Sequence, residues 1–407
     1  MTDDSRSTGL GARLVALTAA KATSNAALRW VGAFLPTLER AFGTTTGTLT
    51  GIIGTAELAG LSTTLAGRSL DRGRHRLIFA GGLTLVTASS VVALGGSVAT
   101  FAIAMVLLVT GVANLTVAGL AYIGDNVPYQ RRGRAIGVYE MSWAISLLVG
   151  APILAWLIDR FGWRAAYVAL AIMTTAGTVL IIRTMDAHVA HESHAETSPR
   201  RRLPRSAWSP IIASAAMAAA GISVFVIIGA WMEDAHGLSV GGLGAVATVM
   251  GAIELMSSSS VALISDRLGV ARSVLGGGLL LASGLCVIAL GQSSMTISII
   301  GLLVLVAGFE YGFVSSLSLL SEAAPEARGT ALSIGNAAGT LSRATAVILS
   351  GQLYERFGIG GTVAFSATAV TVAMTALITG RVSALRAALI TGRVSALRAA
   401  LRGPRNR

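Results

Sequence analysis

The chain has 407 residues, of which 53% are hydrophobic and only 12% are charged, and its formal net charge is +12. Soluble domains carry about 25% charged residues, so this composition excludes an ordinary soluble protein and indicates a membrane protein. The single cysteine, Cys286, excludes an intrachain disulfide. The apolar segments contain no cluster of His, Cys and Asp, so neither a metal nor a cofactor is expected.

Apolar segments of about 18–25 residues, the length that a helix needs to cross a bilayer, recur along the whole chain. In the first half they are 12–35, 48–67, 77–97, 99–123, 135–158 and 165–183. In the second half they are 209–232, 241–264, 273–291, 296–320, 330–353 and 361–380. The sequence therefore predicts an all-α integral membrane protein with twelve spanning helices.

The positive charges divide unequally between the predicted connections. If both termini are cytoplasmic, 24 of the 31 lysines and arginines lie on the cytoplasmic side and four on the opposite side. Cytoplasmic connections of membrane proteins are enriched in arginine and lysine, so this division predicts a multi-pass protein with both termini in the cytoplasm. It also accounts for the net charge without nucleic acid.

An internal repeat relates the two halves of the chain. Residues 131–162 align without gaps to residues 327–358, where DRFG at 159–162 meets ERFG at 355–358. Two six-span halves in the same orientation are a parallel repeat. The predicted organisation is an N-terminal half, a cytoplasmic linker, a C-terminal half and a basic cytoplasmic tail, at 1–183, 184–208, 209–380 and 381–407.

The loop between the second and third predicted spans carries Gly67, Asp71 and Arg72, and the second half repeats part of it as Asp266 and Arg267. Together with PYQRRGRA at 128–135 and DRFGWRAAY at 159–167, these residues resemble the loops of the major facilitator superfamily. The resemblance covers residues 10–380. It implies the major facilitator fold of two six-helix halves and a place in the bacterial inner membrane.

Within the superfamily, GVYEMSWAISLLVGAP resembles the fifth span of bacterial efflux-type members of the sugar- and drug-efflux group. Two positions depart from the drug–proton antiporters. Their arginine in span 4 is replaced by Leu107, and their glycine-rich motif in span 5 is reduced to Gly150-Ala-Pro152.

Away from the ends of the predicted spans, seven charged residues lie inside them, where each costs about 2.5–3.5 kcal/mol unless it faces a cavity or a partner. They are Lys21, Arg29, Glu57, Glu140, Glu254, Glu310 and Arg343. The resemblance implies that their spans line or flank a central cavity, so we predict substrate or coupling roles for them and for Asn25, Asn114 and Tyr311. Structural alternatives stay open: Lys21 could reach the membrane surface or pair structurally, Arg29 could anchor at the interface, and Glu140 could be a gate contact.

A second group of residues is predicted to act in a conformational gate. The resemblance implies that the loop with Gly67, Asp71 and Arg72 docks at the cytoplasmic end of span 11, and that Asp266 and Arg267 form its copy. Gly150 and Pro152 would bend or loosen span 5. An ordinary solvated loop and a purely packing role are the respective alternatives.

These features favour a secondary transporter that exports a small organic molecule by rocker-switch alternating access, as a proton antiporter. The alternative is proton-coupled uptake of an organic anion, with Lys21, Arg29 and Arg343 supplying a positive field. A membrane-embedded sensor or enzyme is disfavoured because no catalytic motif appears. The only lysine lacks the GK[ST] context of a phosphate-binding loop, which excludes ATP drive on this chain. The expected partners are the substrate, protons and the lipid bilayer, and the expected state is a monomer.

Overall fold

A computed structural model describes residues 3–185, 203–322 and 327–401, which are almost entirely helical and contain no β-strand. The helices are α1 Asp3–Ala33, α2 Leu35–Phe42, α3 Thr46–Glu57, α4 Thr63–Leu70, α5 His75–Ala93, α6 Val98–Asn126, α7 Tyr129–Glu140, α8 Ser142–Ile145, α9 Ala151–Phe161, α10 Trp163–Thr184, α11 Trp208–His236, α12 Val240–Leu268, α13 Val270–Leu290, α14 Met295–Glu322 and α15 Arg328–Leu401. A 3₁₀ turn joins α3 to α4 at Leu58–Ser62, and a π turn joins α8 to α9 at Ser146–Gly150.

Nine helical stretches of the described residues are long and apolar enough to cross a membrane. One of them, Thr330–Gly380, has 51 residues, about 75 Å of helix and far more than a ~30 Å bilayer core requires. It bends at Gly358, whose φ of 60° interrupts the helical backbone and is readily adopted only by glycine. The helix α1 and the pair α3–α4 cover the first two predicted spans but are not among the nine. The all-α fold is confirmed, and the number of twelve crossings stays a prediction.

The predicted linker and tail are only partly described. The helix α10 ends at Thr184, where the predicted linker begins, and α11 starts at Trp208. Residues 186–202, between them, lie outside the described residues. The helix α15 continues to Leu401, so its backbone includes most of the predicted tail.

The helices form two groups, called here the N-terminal half (α1–α10) and the C-terminal half (α11–α15). Between the halves, α3 packs against α15, α9 against α12, and α1 against α11. The contacts α3–α15 and α9–α12 correspond to each other under the internal repeat. Small residues bring the backbones together: a methyl group at Gly54 would lie 2.7 Å from the carbonyl oxygen of Ala344, and one at Gly251 only 2.5 Å from the amide nitrogen of Leu148.

The two halves contact each other directly at one end of the bundle. At the end that carries few arginines, called here the arginine-poor end, the Gly47 N–H donates to Glu355 Oε1 at 2.7 Å and Arg40 pairs with Glu233. The opposite end carries most of the arginines and is called here the arginine-rich end. The molecule is therefore closed at its arginine-poor end.

Candidate transport site

An ion pair between Arg29 and Glu254 joins the two halves near the middle of the bundle. Arg29 Nη1 donates to Glu254 Oε2 at 2.5 Å, and Nη2 donates to Oε1. Nη1 also donates to the carbonyl oxygen of Trp143 at 3.2 Å. The side chains of Arg29 and Glu254 are only 14% and 2% exposed. Two parallel hydrogen bonds from a guanidinium to a carboxylate make a strong, directional contact, so this pair holds α1 against α12.

Glu310 stands beside this pair. Ser258, one helical turn after Glu254 on α12, donates its hydroxyl to Glu310 Oε2 at 3.3 Å. Glu310 lies close enough to interact electrostatically with both Arg29 and Glu254. A second carboxylate, that of Glu310, therefore lies beside a pair whose charges already balance. We call Arg29, Glu254, Ser258 and Glu310 the central cluster.

A second ion pair between the halves joins Arg343 of α15 to Glu57 of α3. Arg343 Nε donates to Glu57 Oε2 at 3.2 Å, and Nη2 donates to Thr340 Oγ1 at 3.3 Å. Their side chains are 31% and 14% exposed. Glu57 therefore contributes a cross-half contact on the α3–α15 interface, as Glu254 does on the other side of the bundle.

Lys21 is paired within the N-terminal half. Its side chain is fully buried, and Nζ donates to Glu140 Oε1 at 2.8 Å and lies 4.1 Å from the centre of the Tyr139 ring. Asn25, one turn further along α1, donates to Ser142 Oγ at 3.2 Å. Burial rules out the alternative in which Lys21 reaches the membrane surface. The contact with Glu254 likewise rules out a surface anchor for Arg29.

The three cations inside the predicted spans are each bound to a carboxylate, which leaves Glu310 as the acid without a cation of its own. The predicted positive field of Lys21, Arg29 and Arg343 is thus balanced by Glu140, Glu254 and Glu57. Helix packing brings a carboxylate against each of these cations and so neutralises its charge. The net charge of the group, when every acid is ionised, is negative.

Asn114 and Tyr311 face partners within their own halves. Asn114 Nδ2 donates to Ser62 Oγ at 3.0 Å and to the carbonyl oxygen of Thr110 at 2.8 Å. The Tyr311 hydroxyl donates to Ser273 Oγ at 3.2 Å, toward the start of α13. Neither side chain joins the central cluster, so their predicted roles in substrate binding stay predictions.

The predicted gate residues lie at two different places. Asp71 and Arg72, after α4, and Arg267, near the end of α12, are exposed, and a methyl group at Gly67 would meet open space. The side chain of Asp266 lies outside the described residues. Docking of this loop stays a prediction. Gly150 closes the π turn before α9 and Pro152 occupies the first turn of that helix, so both lie where regular α-helix is interrupted.

Several residues at these contacts were not predicted. Ser258 follows Glu254 by four residues on one helix face, a spacing that could have identified it. Tyr139 and Trp143 flank Lys21, and their ring centres lie 4.1 and 5.9 Å from its Nζ. Two aromatic residues so close to Glu140 in the sequence were a weaker indication of this contact. His75, buried at the start of α5, lies 2.8 Å from Asp125 and gave no signal at all.

Comparisons with known proteins agree on the family. A profile of the Major Facilitator Superfamily matches residues 17–230 and 211–402. The "Probable 4-methylmuconolactone transporter" of Cupriavidus pinatubonensis (strain JMP 134 / LMG 1197) is 30% identical over 115 residues, which are 27% of this chain and 26% of that protein. The match therefore spans about a quarter of each chain.

Solved structures resemble the whole fold. An inward-facing, unoccupied bacterial homologue of the human lysosomal transporter Spinster has a TM-score of 0.72 at 15% identity, covering 94% of this chain and 96% of that one. A D-xylose–proton symporter has a TM-score of 0.73 at 17% identity, covering 90% and 96%. These likenesses concern the fold, and the profile spans both halves of the sequence. The chain is a multi-pass membrane protein and belongs to the major facilitator superfamily of transporters.

Proposed function

We propose that the protein is a proton-coupled secondary transporter that exports a small organic molecule by alternating access. The observation that supports this most is the central cluster, in which a buried ion pair bridges the halves and a second carboxylate stands beside it. We further propose that the arginine-rich end faces the bacterial cytoplasm, in accordance with the positive-inside rule.

Alternating access requires that the arginine-poor end opens when the arginine-rich end closes. In that transition the ion pairs Arg29–Glu254 and Arg343–Glu57 must separate, because their members move with different halves. Leaving one member of a buried pair without its partner costs about 3–5 kcal/mol. A proton on Glu254, or a substrate group against Arg29, would lower that cost, and so ligand and proton binding become linked to the movement.

Glu310 is the group best suited to exchange a proton for substrate. When Arg29 and Glu254 remain paired, a protonated Glu310 leaves the cluster neutral. Binding of a polar or cationic substrate beside Glu310 would favour its ionised form and release that proton. The cluster therefore supports antiport, with one proton released at Glu310 for each substrate that binds there.

Uptake of an organic anion with a proton is a second candidate, and the geometry of Arg29 favours it. Its two parallel N–H donors already hold a carboxylate, and a substrate carboxylate could take the place of Glu254 once Glu254 is protonated. The similarity to a protein named as a 4-methylmuconolactone transporter is consistent with a small organic substrate in either direction.

Everted membrane vesicles with an imposed pH gradient test the proposal and separate the two candidates. The probes are a panel of organic cations, neutral sugars and carboxylic acids, and the readout is a pH-sensitive dye in the lumen. Antiport predicts that protons leave the lumen when a cationic or neutral compound of the panel enters it. If protons instead leave the lumen together with a carboxylate, the result supports proton-coupled uptake of an organic anion.

The variant Glu310→Gln should abolish substrate-dependent proton movement and keep substrate exchange between vesicles at equal pH. Asp159→Asn, which removes an exposed acid at the arginine-poor end, is the matched control. A wild-type proton response in Glu310→Gln, or no pH response to any probe, would overturn the proposal.

A further inference from the structure

Four acidic side chains meet where the halves touch at the arginine-poor end. They are Glu39 on α2, Glu233 and Asp234 at the end of α11, and Glu355 on α15, and we call them the acidic junction. Glu355 is twelve residues from Arg343 on the same helix, which is about 18 Å. The acidic junction is thus separate from the central cluster, and the proposed coupling does not use it.

The contacts of the acidic junction cross between the halves. Arg40 of the N-terminal half pairs with Glu233, and the Gly47 N–H at the start of α3 donates to Glu355 Oε1 at 2.7 Å. Within the C-terminal half, the Tyr354 hydroxyl donates to Asp234 Oδ2 at 2.8 Å. Within the N-terminal half, the Thr46 hydroxyl donates to Glu39. The two contacts between the halves, Arg40–Glu233 and Gly47–Glu355, exist only while this end is closed, because the two sets of helices part when it opens.

Glu39 is the member of the acidic junction whose environment is least suited to a charge. Its side chain is half-buried, and its hydrogen bond comes from a neutral hydroxyl. Burial, followed by the charges of Asp234, Glu355 and Glu233, raises the pKa of Glu39, while the hydroxyl of Thr46 acts in the opposite direction. Three carboxylates of the opposite half therefore act on Glu39, and each repels its ionised form.

Other titratable groups lie at this end of the bundle. They are Arg40 on α2 itself, Arg164 on α10, His236 on α11, and Tyr354 and Arg356 on α15. Arg40 is held by Glu233, and Arg164 lies over the Trp163 ring, 4.6 Å from its centre. The charged residues of α1 and α3 closest to α2 in the sequence, Arg29 and Glu57, are bound at the middle of the bundle.

We propose that the acidic junction is a proton-operated latch, which holds the arginine-poor end closed when Glu39 is protonated and loosens it when Glu39 is ionised. The closed state gathers the carboxylates of both halves, and the open state separates them. A group that binds its proton more tightly in one state stabilises that state as the pH falls, so acid favours closure. Closure is lost as the pH rises through the value at which Glu39 ionises in the closed state.

Such a latch would make the conformational equilibrium depend on the pH at the arginine-poor end, whichever substrate the central cluster takes. On the acidic side of an energised membrane it would favour the return of the empty transporter to the state described here. The latch therefore does not depend on the direction or the chemistry of transport.

A distance measurement across this end tests the latch without substrate. Nitroxide labels at Ala99→Cys and Ser293→Cys, both exposed and in opposite halves, report opening in a Cys286→Ser background. The protein is kept in lipid nanodiscs, and the distance between the labels is measured by pulsed electron–electron double resonance between about pH 4.5 and 8.5. This range of about four pH units covers the titration of carboxyl groups whose pKa is raised. The short-distance, closed population should rise as the pH falls.

Two variants at the acidic junction should change this titration in different ways. Glu39→Gln should stay closed and show no dependence on pH, whereas Thr46→Val, which removes the hydroxyl donor, should shift the midpoint to higher pH. Asp159→Asn, which removes an exposed acid outside the acidic junction, should keep the wild-type midpoint.

A wild-type closed population that does not vary with pH would overturn the latch, and so would a wild-type midpoint in Glu39→Gln. Loss of the pH response in Glu310→Gln alone would assign the response to the central cluster instead. If Glu39→Gln does not fold, an unshifted midpoint in Thr46→Val refutes the proposal by itself.

Discussion

Thr50 of α3 lies directly against Gly351 of α15, so closely that a methyl group at Gly351 would come within 1.8 Å of Thr50 Oγ1. Thr50 is fully buried and donates its hydroxyl to the carbonyl oxygen of Thr46 at 2.8 Å, which prevents its oxygen from turning away freely. The approach of these two residues sets the distance between the halves on one side of the arginine-poor end.

Gly351→Ala should therefore move α3 away from α15 and shift the population toward the state open at the arginine-poor end. Overpacking of this kind costs about 1–3 kcal/mol, and here it falls on the closed state alone. The nitroxide pair at positions 99 and 293 would report the opening as a longer distance. Gly360→Ala is the control, because a methyl group there meets no atom within 4 Å.

The double variant Thr50→Ala/Gly351→Ala should restore most of the closed population, since it removes Thr50 Oγ1 and Cγ2 and leaves Cβ, at 2.8 Å, as the remaining close atom of that side chain. A closed population in Gly351→Ala equal to that of the wild type would show that the interface can shift without opening.

Removal of one member of the Arg29–Glu254 pair should be more harmful than removal of both. Arg29→Gln leaves a carboxylate that is 2% exposed without its partner, which costs about 3–5 kcal/mol. In Arg29→Gln/Glu254→Gln neither member of the pair carries a charge, and two neutral amides can still form a hydrogen bond. We expect the double variant to unfold in detergent at a higher temperature than either single variant. Additive losses in the double variant would argue that the pair contributes little to stability.

The Lys21–Glu140 pair should respond asymmetrically to mutation. Lys21 is fully buried, whereas the Glu140 side chain is 39% exposed. Glu140→Gln leaves an ammonium group that cannot reach water, while Lys21→Met leaves a carboxylate that can. Glu140→Gln should therefore be the more destabilising change, by about 1–3 kcal/mol, the penalty of a buried group without a partner. Equal losses in thermal unfolding would contradict the difference in burial.

Salt should shift the titration of the latch. Asp234 and Glu355 are exposed, so their effect on Glu39 is open to screening, and the Debye length falls from about 10 Å at 0.1 M salt to about 3 Å at 1 M. Screening removes part of the repulsion that raises the pKa of Glu39, so the midpoint of closure should move to lower pH at 1 M salt. Burial is not screened, and the midpoint should stay above that of a free glutamic acid. A shift to higher pH would contradict this assignment of charges.

Much of the architecture was predictable because insertion into a membrane constrains which residues a sequence can contain. Long apolar segments and the repeat of 131–162 at 327–358 indicated two helical halves, and charges inside apolar segments identified Arg29, Glu254 and Glu310. The kind of irregularity in span 5 was less certain: Gly150 and Pro152 predicted a bend or loosening within 135–158, and the structure has a π turn at Ser146–Gly150.

The partners of these charges were not predictable. Arg29 and Glu254 are 225 positions apart, and Arg343 and Glu57 are 286 apart. Each pair exists because two helix bundles meet at one particular rotation, which no local pattern encodes. The same holds for the acidic junction, since its members lie between the predicted spans, where acidic residues are usually solvated. Burial of Glu39 follows only from the closure of the bundle.

The hydrogen bond from Gly47 to Glu355 links the secondary structure of one half to the position of the other. Glu355 caps the first turn of α3 from across the interface, alongside the cap that Thr45 provides through Thr48 N. A carboxylate at this place compensates the partial positive charge of a helix start. When the halves part, α3 keeps only its neutral cap, so its first turn is expected to fray. The helix α3 is thus expected to be longer when the arginine-poor end is closed than when it is open.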